Sequence, residues 1–450
     1  MTGLIGKYGS NYKSILKLAI PIIIGQLGGI ITGLADTIMV GQYGTNELAA
    51  SSFVNNVLNA FIIFGTGFSF ALTPLVGENL ARDKRYVMSA WLKNGIVANF
   101  LLSLVLMVVL TVIYFNIDKF GQPESLLRLI RPYFLISMIS VIFIMLANSF
   151  RQFVEGITDP SVSMWILICG NVLNIVGNYA LIYGKLGLPE LGLVGAGWST
   201  LFSRIFMFLM FVMVFLFRPS YKAYRKGFKR MWVLPNRLIR ITKLGVPIAL
   251  QQGLEAVTFS LTAIMVGWLT MNTAENMAAH QVVIAISTIS FTTYLGLGSA
   301  TAIRTSFYKG AKDWAQVRRT TVAGIHLGLI VSTLTCLALF IFRDKISYVF
   351  SDNEMVSMIV ISLLPILMLY QFVDGAQIVL ANALRGLSDV KSIMWISFIT
   401  NFMIAIPAGY ILGFPCGMGI QGIWFAYPIG FLFSVTLLAI RARKLMSGKA

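Results

Sequence analysis

The sequence predicts an all-α integral membrane protein: twelve transmembrane helices in two six-helix lobes related by a parallel internal repeat. Three observations predict it. Of 450 residues, 57% are hydrophobic and only 12% charged, too few charges to solvate so much apolar side chain in a soluble domain. Apolar runs of about 20 residues recur along the chain, each long enough to cross a hydrocarbon core ~30 Å thick. Short motifs also return in the same order at a nearly constant offset. A β-barrel would instead show short alternating segments.

The runs fall near 14–40, 49–77, 88–115, 129–150, 161–183, 191–217, 238–268, 277–304, 316–342, 355–383, 392–412 and 418–440. Lysine and arginine alternate between the segments that join them. One side collects 28 of them. They include Lys7, Lys13 and Lys17 before the first run, Arg82, Lys84, Arg85 and Lys93 after the second, and Arg218 through Lys243 after the sixth. Arg385 and Lys391 follow the tenth, and Lys449 closes the C-terminal tail. The other side has six: Lys119, Arg128, Arg131, Lys185, Arg343 and Lys345. Arg204 is left inside the sixth run. Basic loops stay in the cytoplasm, so both termini are expected there, in a multi-pass protein of the plasma (inner) membrane. The formal net charge of +18 is then a topology signal, and no nucleic-acid partner is expected. Cys169, Cys336 and Cys416 form no CxxC pair and read as small hydrophobes. The first run is too long for a cleavable signal and lacks an A-x-A-like end, so it is expected to remain as a membrane helix.

The repeat is explicit. "LKLAIPIIIGQL" at 16–27 resembles "TKLGVPIALQQG" at 242–253, and "IMVG" at 38–41 recurs at 264–267, an offset of 226. "ELAASSFV" (47–54) resembles "NMAAHQVV" (276–283), and "GTGFSFA" (65–71) resembles "GLGSATA" (296–302). "GITDPSVSMW" (156–165) resembles "GLSDVKSIMW" (386–395), an offset of 230. Such ordered matches indicate duplication. The expected division is an N-lobe at 1–217, a basic cytoplasmic linker at 218–236 and a C-lobe at 237–450. Six spans per half give the parallel repeats of a known transporter plan.

The acids break the symmetry. Asp36 corresponds to Thr262, Glu255 to Gly29 and Asp374 to Ile144. A carboxylate inside a membrane span is costly and marks a functional site by default. Asp36 lies about five residues from the outer end of its span, as does Asn178 in "NVLNIVGN". That segment places Asn171, Asn174 and Asn178 on one helical face. Asp36, Asn174, Asn178 and Thr200 therefore form a candidate site for a proton or Na⁺; the asparagines also suit an interhelical hydrogen-bond patch. In the second half, Glu255 and Asp374 differ in depth by only ~5 Å, and Tyr370 shares the face of Asp374 one turn earlier. Two close carboxylates cannot both stay ionised cheaply, so a proton or a bridging cation such as Na⁺ is expected there. Pro21 and Pro247, at matching repeat positions, are candidate hinges. His280 and His326 suggest no metal site.

These residues resemble the multidrug and toxic compound extrusion (MATE) family, in its NorM-like branch, over nearly the whole chain. The markers are "ADTIMVG" with Asp36, "NVLNIVGNYALIYGKLGLPELGLVGAG", "AAHQ" at 278–281 and "LYQFVDGAQIVLANALRGLSD" at 369–389, with Glu255 where that branch has its membrane glutamate. The resemblance implies two six-helix lobes around a central cleft. It implies export of bulky, often cationic amphiphiles in exchange for inward Na⁺ or H⁺. It places a cation site at Glu255, Asp374 and Tyr370 in the C-lobe and another at Asp36, Asn174, Asn178 and Thr200 in the N-lobe. Some relatives outside this branch have aspartate where this chain has Asn178. With one acid fewer, a monovalent cation is held more weakly and a proton-only role becomes plausible.

The expected function is therefore secondary active efflux of small-molecule drugs and organic cations, with no cofactor besides the coupling ion, by a monomer in the lipid bilayer. The rival is a flippase for a lipid-linked precursor, which calls for a cationic cavity. No HExxH, Ser/Lys dyad or P-loop occurs, so neither an enzyme nor an ATP-driven pump is expected.

Overall fold

A computed structural model describes residues 2–343 and 353–447, with side chains from residue 6 onward. Lys345 and Lys449 lie outside the described residues. The helices, in chain order, are α1 (Thr2–Tyr43), α2 (Thr45–Ser69), α3 (Leu72–Leu80), α4 (Arg85–Phe115), α5 (Glu124–Gly156), α6 (Pro160–Ile182), α7 (Gly192–Phe217) and α8 (Lys222–Arg230). They continue with α9 (Pro235–Gly267), α10 (Thr273–Gly310), α11 (Trp314–Ile341), α12 (Glu354–Gly386), α13 (Val390–Phe398), α14 (Ile406–Gly413) and α15 (Gly419–Ser447). A π-helical stretch, Ile399–Ala405, joins α13 to α14. Among the described residues twelve helical spans are long and apolar enough to cross a membrane, with α2–α3 and α13–α14 each making one. Inside hydrocarbon the backbone has no water to bond, and a helix satisfies its own polar groups. The protein is a multi-pass membrane protein.

Most helices outrun their apolar stretches. α10 covers Thr273–Gly310 where hydropathy delimits 277–304. Hydropathy delimits only the apolar part, while the helix itself continues over the polar and basic residues that flank it. Lys93 accordingly lies within α4 and Arg385 within α12, not in loops.

The chain forms two compact units, residues 24–249 and residues 1–23 with 250–450. The division falls inside α1 and α9, just beyond Pro21 and Pro247, and both prolines sit within unbroken helix. The core of the first unit includes Val54, Leu58, Phe134, Val141, Met145 and Ala196. In the second unit Met265, Val283, Leu367, Tyr370, Trp424 and Tyr427 pack together. Ile15, Leu18 and Ile22 pack there on Leu297, Ile303 and Leu327.

The repeat extends to side-chain contacts. Asp159 of "GITDPS" pairs with Arg218 at 3.0 Å, and Asp389 of "GLSDVK" pairs with Arg441 at 2.6 Å. The residues before these aspartates, Thr158 and Ser388, both have φ of 65°. Gly195 and Gly422 occupy matching close approaches. A Cβ on Gly195 would lie 2.4 Å from the Leu181 carbonyl oxygen, and one on Gly422 would lie 2.5 Å from the Leu412 carbonyl group.

The segment between the halves is structured. Tyr221, Tyr224 and Gly227 form the buried face of the Pro219–Tyr221 turn and α8. Gly227 lies so close to α4 that a Cβ would meet Tyr86 Cα at 2.8 Å. Lys93 donates to the carbonyls of Phe228 and Met231 at 3.3 and 3.0 Å, and the Leu234 amide donates to Asn94 at 2.9 Å. Tyr221 donates to Asp159 at 3.0 Å, and burial first, then the Asp159 charge, push its hydroxyl pKa above the ordinary phenol value.

Candidate functional sites in the two units

In residues 24–249, α1, α6 and α7 bring all four expected N-lobe residues into one hydrogen-bonded string. Asn178 donates to Asp36 Oδ1 and lies 3.5 Å from Asn174 Oδ1. Asn174 donates to Thr200 Oγ1 at 3.3 Å, while Ser199 donates to the Asn174 carbonyl at 2.8 Å. Asn174 and Asn178 are buried and Asp36 half-buried. The i, i+4 spacing of the asparagines stacks them on one face of α6. Asn171 does not join: its amide nitrogen is buried without a partner among the described residues and faces Gly28.

Arg204, which hydropathy left without a role, points into the same unit. It donates to Ser140 Oγ at 2.6 Å. Asn178 Oδ1 is buried with no partner among the described residues. An orphan carbonyl oxygen beside a carboxylate suits a monovalent cation or a carboxyl proton, since both need oxygen acceptors.

In the second unit, α9 and α12 supply the site. Asp374 is 2% exposed, and Tyr370, one turn earlier on α12, is 1% exposed. Gln377, three residues after Asp374 on the same face of α12, reaches Glu255, so the two acids lie on the same side of that helix. Glu255 Oε1 accepts from Gln251 at 3.0 Å and from Gln377 at 3.5 Å. Asp374 Oδ2 is buried without a hydrogen-bond partner among the described residues. Two acids, one carrying an unoccupied acceptor, again fit a proton or Na⁺.

Sequence reasoning missed Arg385. Counted with the cytoplasmic loops, it is 3% exposed within α12. It donates to Asn382 at 2.9 Å and to Gln251 at 3.0 Å, so Gln251 bridges Arg385 and Glu255. The signal was the i, i+3 pair Asn382 and Arg385, on the helix that carries Asp374. His280 is fully buried in α10 and accepts from the Trp424 indole at 3.1 Å. His326 is hydrogen-bonded to Tyr12 at 2.7 Å. The repeat counterpart of Asp36, Thr262, accepts from Tyr427 at 2.8 Å. The second unit therefore fills that position with a neutral pair.

Twelve spans, two related halves and acids within the spans, two of them held by neutral donors, define a polytopic carrier-type fold. The MatE family model matches residues 21–180 and 247–411, two segments that begin 226 residues apart, and the chain belongs to the MATE family. It is 30% identical over 441 residues to the multidrug resistance protein NorM of Aliivibrio fischeri, covering 97% of this chain and 95% of that protein. It is 30% identical over 442 residues to the multidrug resistance protein MdtK of Photorhabdus laumondii, covering 97% and 96%. A MOP superfamily transporter from Pyrococcus furiosus superposes with a TM-score of 0.88 at 20% identity, covering 100% of this chain and 99% of that one. The eukaryotic MATE transporter AtDTX14 superposes with a TM-score of 0.87 at 19% identity, covering 99% and 100%. These two likenesses show the fold.

Proposed function

We propose that the protein is a secondary active multidrug exporter, moving cationic amphiphiles outward in exchange for Na⁺ or H⁺ moving inward. The observation that carries this reading is the burial of Asp374 in a membrane-spanning helix, its Oδ2 without a partner among the described residues, one turn from Gln377, which reaches Glu255. A carboxylate in that setting needs a cation or a proton. The NorM and MdtK relatives support the substrate class.

The coupling ion takes Glu255 and Asp374, with the Tyr370 hydroxyl orienting Asp374. Asp36 takes a proton or Na⁺ with Asn178, Asn174 and Thr200 as neutral partners. Neutralising a carboxylate removes its attraction for a cationic compound, so ion entry and drug release are linked. Coupling requires that the ion bind the two conformations differently. Pro21 and Pro247 supply the bending points, since each leaves one backbone carbonyl unbonded within its helix. The units meet along the chain just past those prolines. The termini lie in the cytoplasm of an inner-membrane monomer, and no chemical step on the substrate is involved.

A flippase reading draws on two cations within the helices, half-buried Arg204 and buried Arg385. Arg204 is engaged by Ser140 and Arg385 by Asn382 and the Gln251 partner of Glu255, which argues against either holding an anionic head group. Purified protein in liposomes, with ethidium followed under a Na⁺ gradient and a pH gradient imposed separately, tests the proposal. Ethidium movement under either gradient supports antiport. Movement under neither, with transfer of a lipid-linked anion instead, overturns it.

A further inference from the structure

α6 and α7 leave a groove of about 690 Å³ along the outside of the first unit. Val162, Trp165 and Cys169 line it from α6, and Met210, Met213 and Phe217 from α7. The spacings i, i+3, i+7 on each helix put these side chains on facing stripes. From Asp159, just before α6, to Cys169 the groove runs about 15 Å at about 1.5 Å per residue. One leaflet of hydrocarbon is about 15 Å deep, so the groove matches one acyl chain. Its mouth carries Arg218, held by Asp159 at 3.0 Å and seated 5.3 Å from the Tyr221 ring centroid.

α8 begins at that mouth. Arg225 fixes it there by donating to the carbonyls of Phe215 and Arg218, at 3.2 and 2.7 Å. With Tyr221, Tyr224 and Gly227 buried, Lys222, Lys226, Lys229 and Arg230 are exposed together at i, i+4, i+7 and i+8. Trp232 follows, 81% exposed. A docked short helix with cations on its outer face and an indole at its end is the arrangement that meets anionic headgroups at a membrane surface. The positive-inside rule alone requires basic residues here; it does not require one helical face, clamped at the mouth of an acyl-sized groove.

We propose that the α6–α7 groove and the outer face of α8 form a binding site for an anionic phospholipid. One acyl chain lies along Trp165 and Met213, and the phosphate lies in the positive field of the face formed by Lys222, Lys226, Lys229 and Arg230. Assigning the lipid to the cytoplasmic leaflet rests on the orientation proposed above; the headgroup selectivity does not.

The test uses the full chain in nanodiscs, which expose both faces. Fluorescence quenching by brominated phosphatidylglycerol is compared with that by brominated phosphatidylcholine. The Trp165 contribution is taken as the difference from the Trp165→Phe variant. We expect phosphatidylglycerol to half-quench Trp165 at a mole fraction roughly fivefold lower or less. The preference should vanish when Lys222, Lys226, Lys229 and Arg230 are all changed to Gln, and persist when the three lysines are changed to Arg. Equal quenching by the two lipids, or a preference unchanged in the Gln variant, overturns the proposal. Quenching relieved by ethidium without headgroup preference overturns it too, and assigns the groove to the exported compound. Lipid binding is read without transport, so failure here and failure of the antiport reading are separate results.

Discussion

Arg385 donates to Gln251 at 3.0 Å, and Gln251 in turn donates to Glu255 at 3.0 Å. A buried guanidinium is thus tethered one amide away from a candidate ion-binding carboxylate. It lowers the negative potential at that carboxylate and competes with an incoming cation. A charge at such range in a partly buried site is worth about 1–2 kcal/mol. Arg385→Gln should therefore raise the apparent affinity for the coupling ion by roughly five- to thirtyfold, with a slower maximal rate because release is harder. Arg385→Lys keeps the charge and should shift affinity far less, while losing the forked contact to Asn382 and Gln251. Ion-concentration curves for ethidium efflux read both effects. Unchanged affinity in Arg385→Gln means that the arginine only packs.

Asp36→Asn and Asp374→Asn remove the titratable or ion-binding group at each site and keep its shape. Each variant should lose most coupled efflux while its melting temperature stays within a few degrees of the parent, because the new Asn keeps the size of the carboxyl group and one acceptor oxygen. Efflux and thermal melting on the same preparations check this. Normal efflux by both variants contradicts the site assignment.

Pro21→Ala and Pro247→Ala restore a backbone donor to α1 and α9 at the places where the chain passes from one unit to the other. The helices should stiffen. Transport should fall severalfold while ion binding, measured at equilibrium, is retained. Loss of ion binding in step with transport would place the prolines in the sites instead of at hinges.

Gly195→Ala and Gly422→Ala test the repeat as scaffold. In each, the new Cβ would press on backbone of the neighbouring helix, at 2.4 and 2.5 Å, where no flexible side chain can yield. Overpacking of this kind costs about 1–3 kcal/mol. Both variants should show lower melting temperatures and poorer expression, by similar amounts because the contacts are equivalent. A drop in only one would show that the two halves pack differently there.

Much of this architecture was legible in the sequence. Hydropathy carried the number and order of the spans, and the offset of 226 between Pro21 and Pro247 carried the duplication. Asp36, Glu255 and Asp374 stood out because a membrane span tolerates few acids. Cations were harder to read. A basic residue at the end of an apolar run looks like a loop residue, so Arg385 was assigned to the cytoplasm although α12 continues past it and turns it toward α9. Arg204 was visible but without direction, since nothing in an apolar helix says which neighbour Ser140 or Asp36 will be. Residues 218–236 read as a linker because charge dominated the composition. The i, i+3 spacing of Tyr221 and Tyr224, followed by Gly227, was the signal of a docked helix beneath that charge.

The central claim is that ion and drug movements are coupled through these buried acids. Coupling is reciprocal, so a drug gradient must drive the ion. The most direct measurement imposes an ethidium gradient across proteoliposomes and follows internal Na⁺ and pH with trapped dyes. The account predicts movement of one of these ions against the direction of ethidium, abolished in Asp36→Asn/Asp374→Asn. Ethidium crossing with neither ion moving, or ion movement undiminished in that double variant, would contradict it.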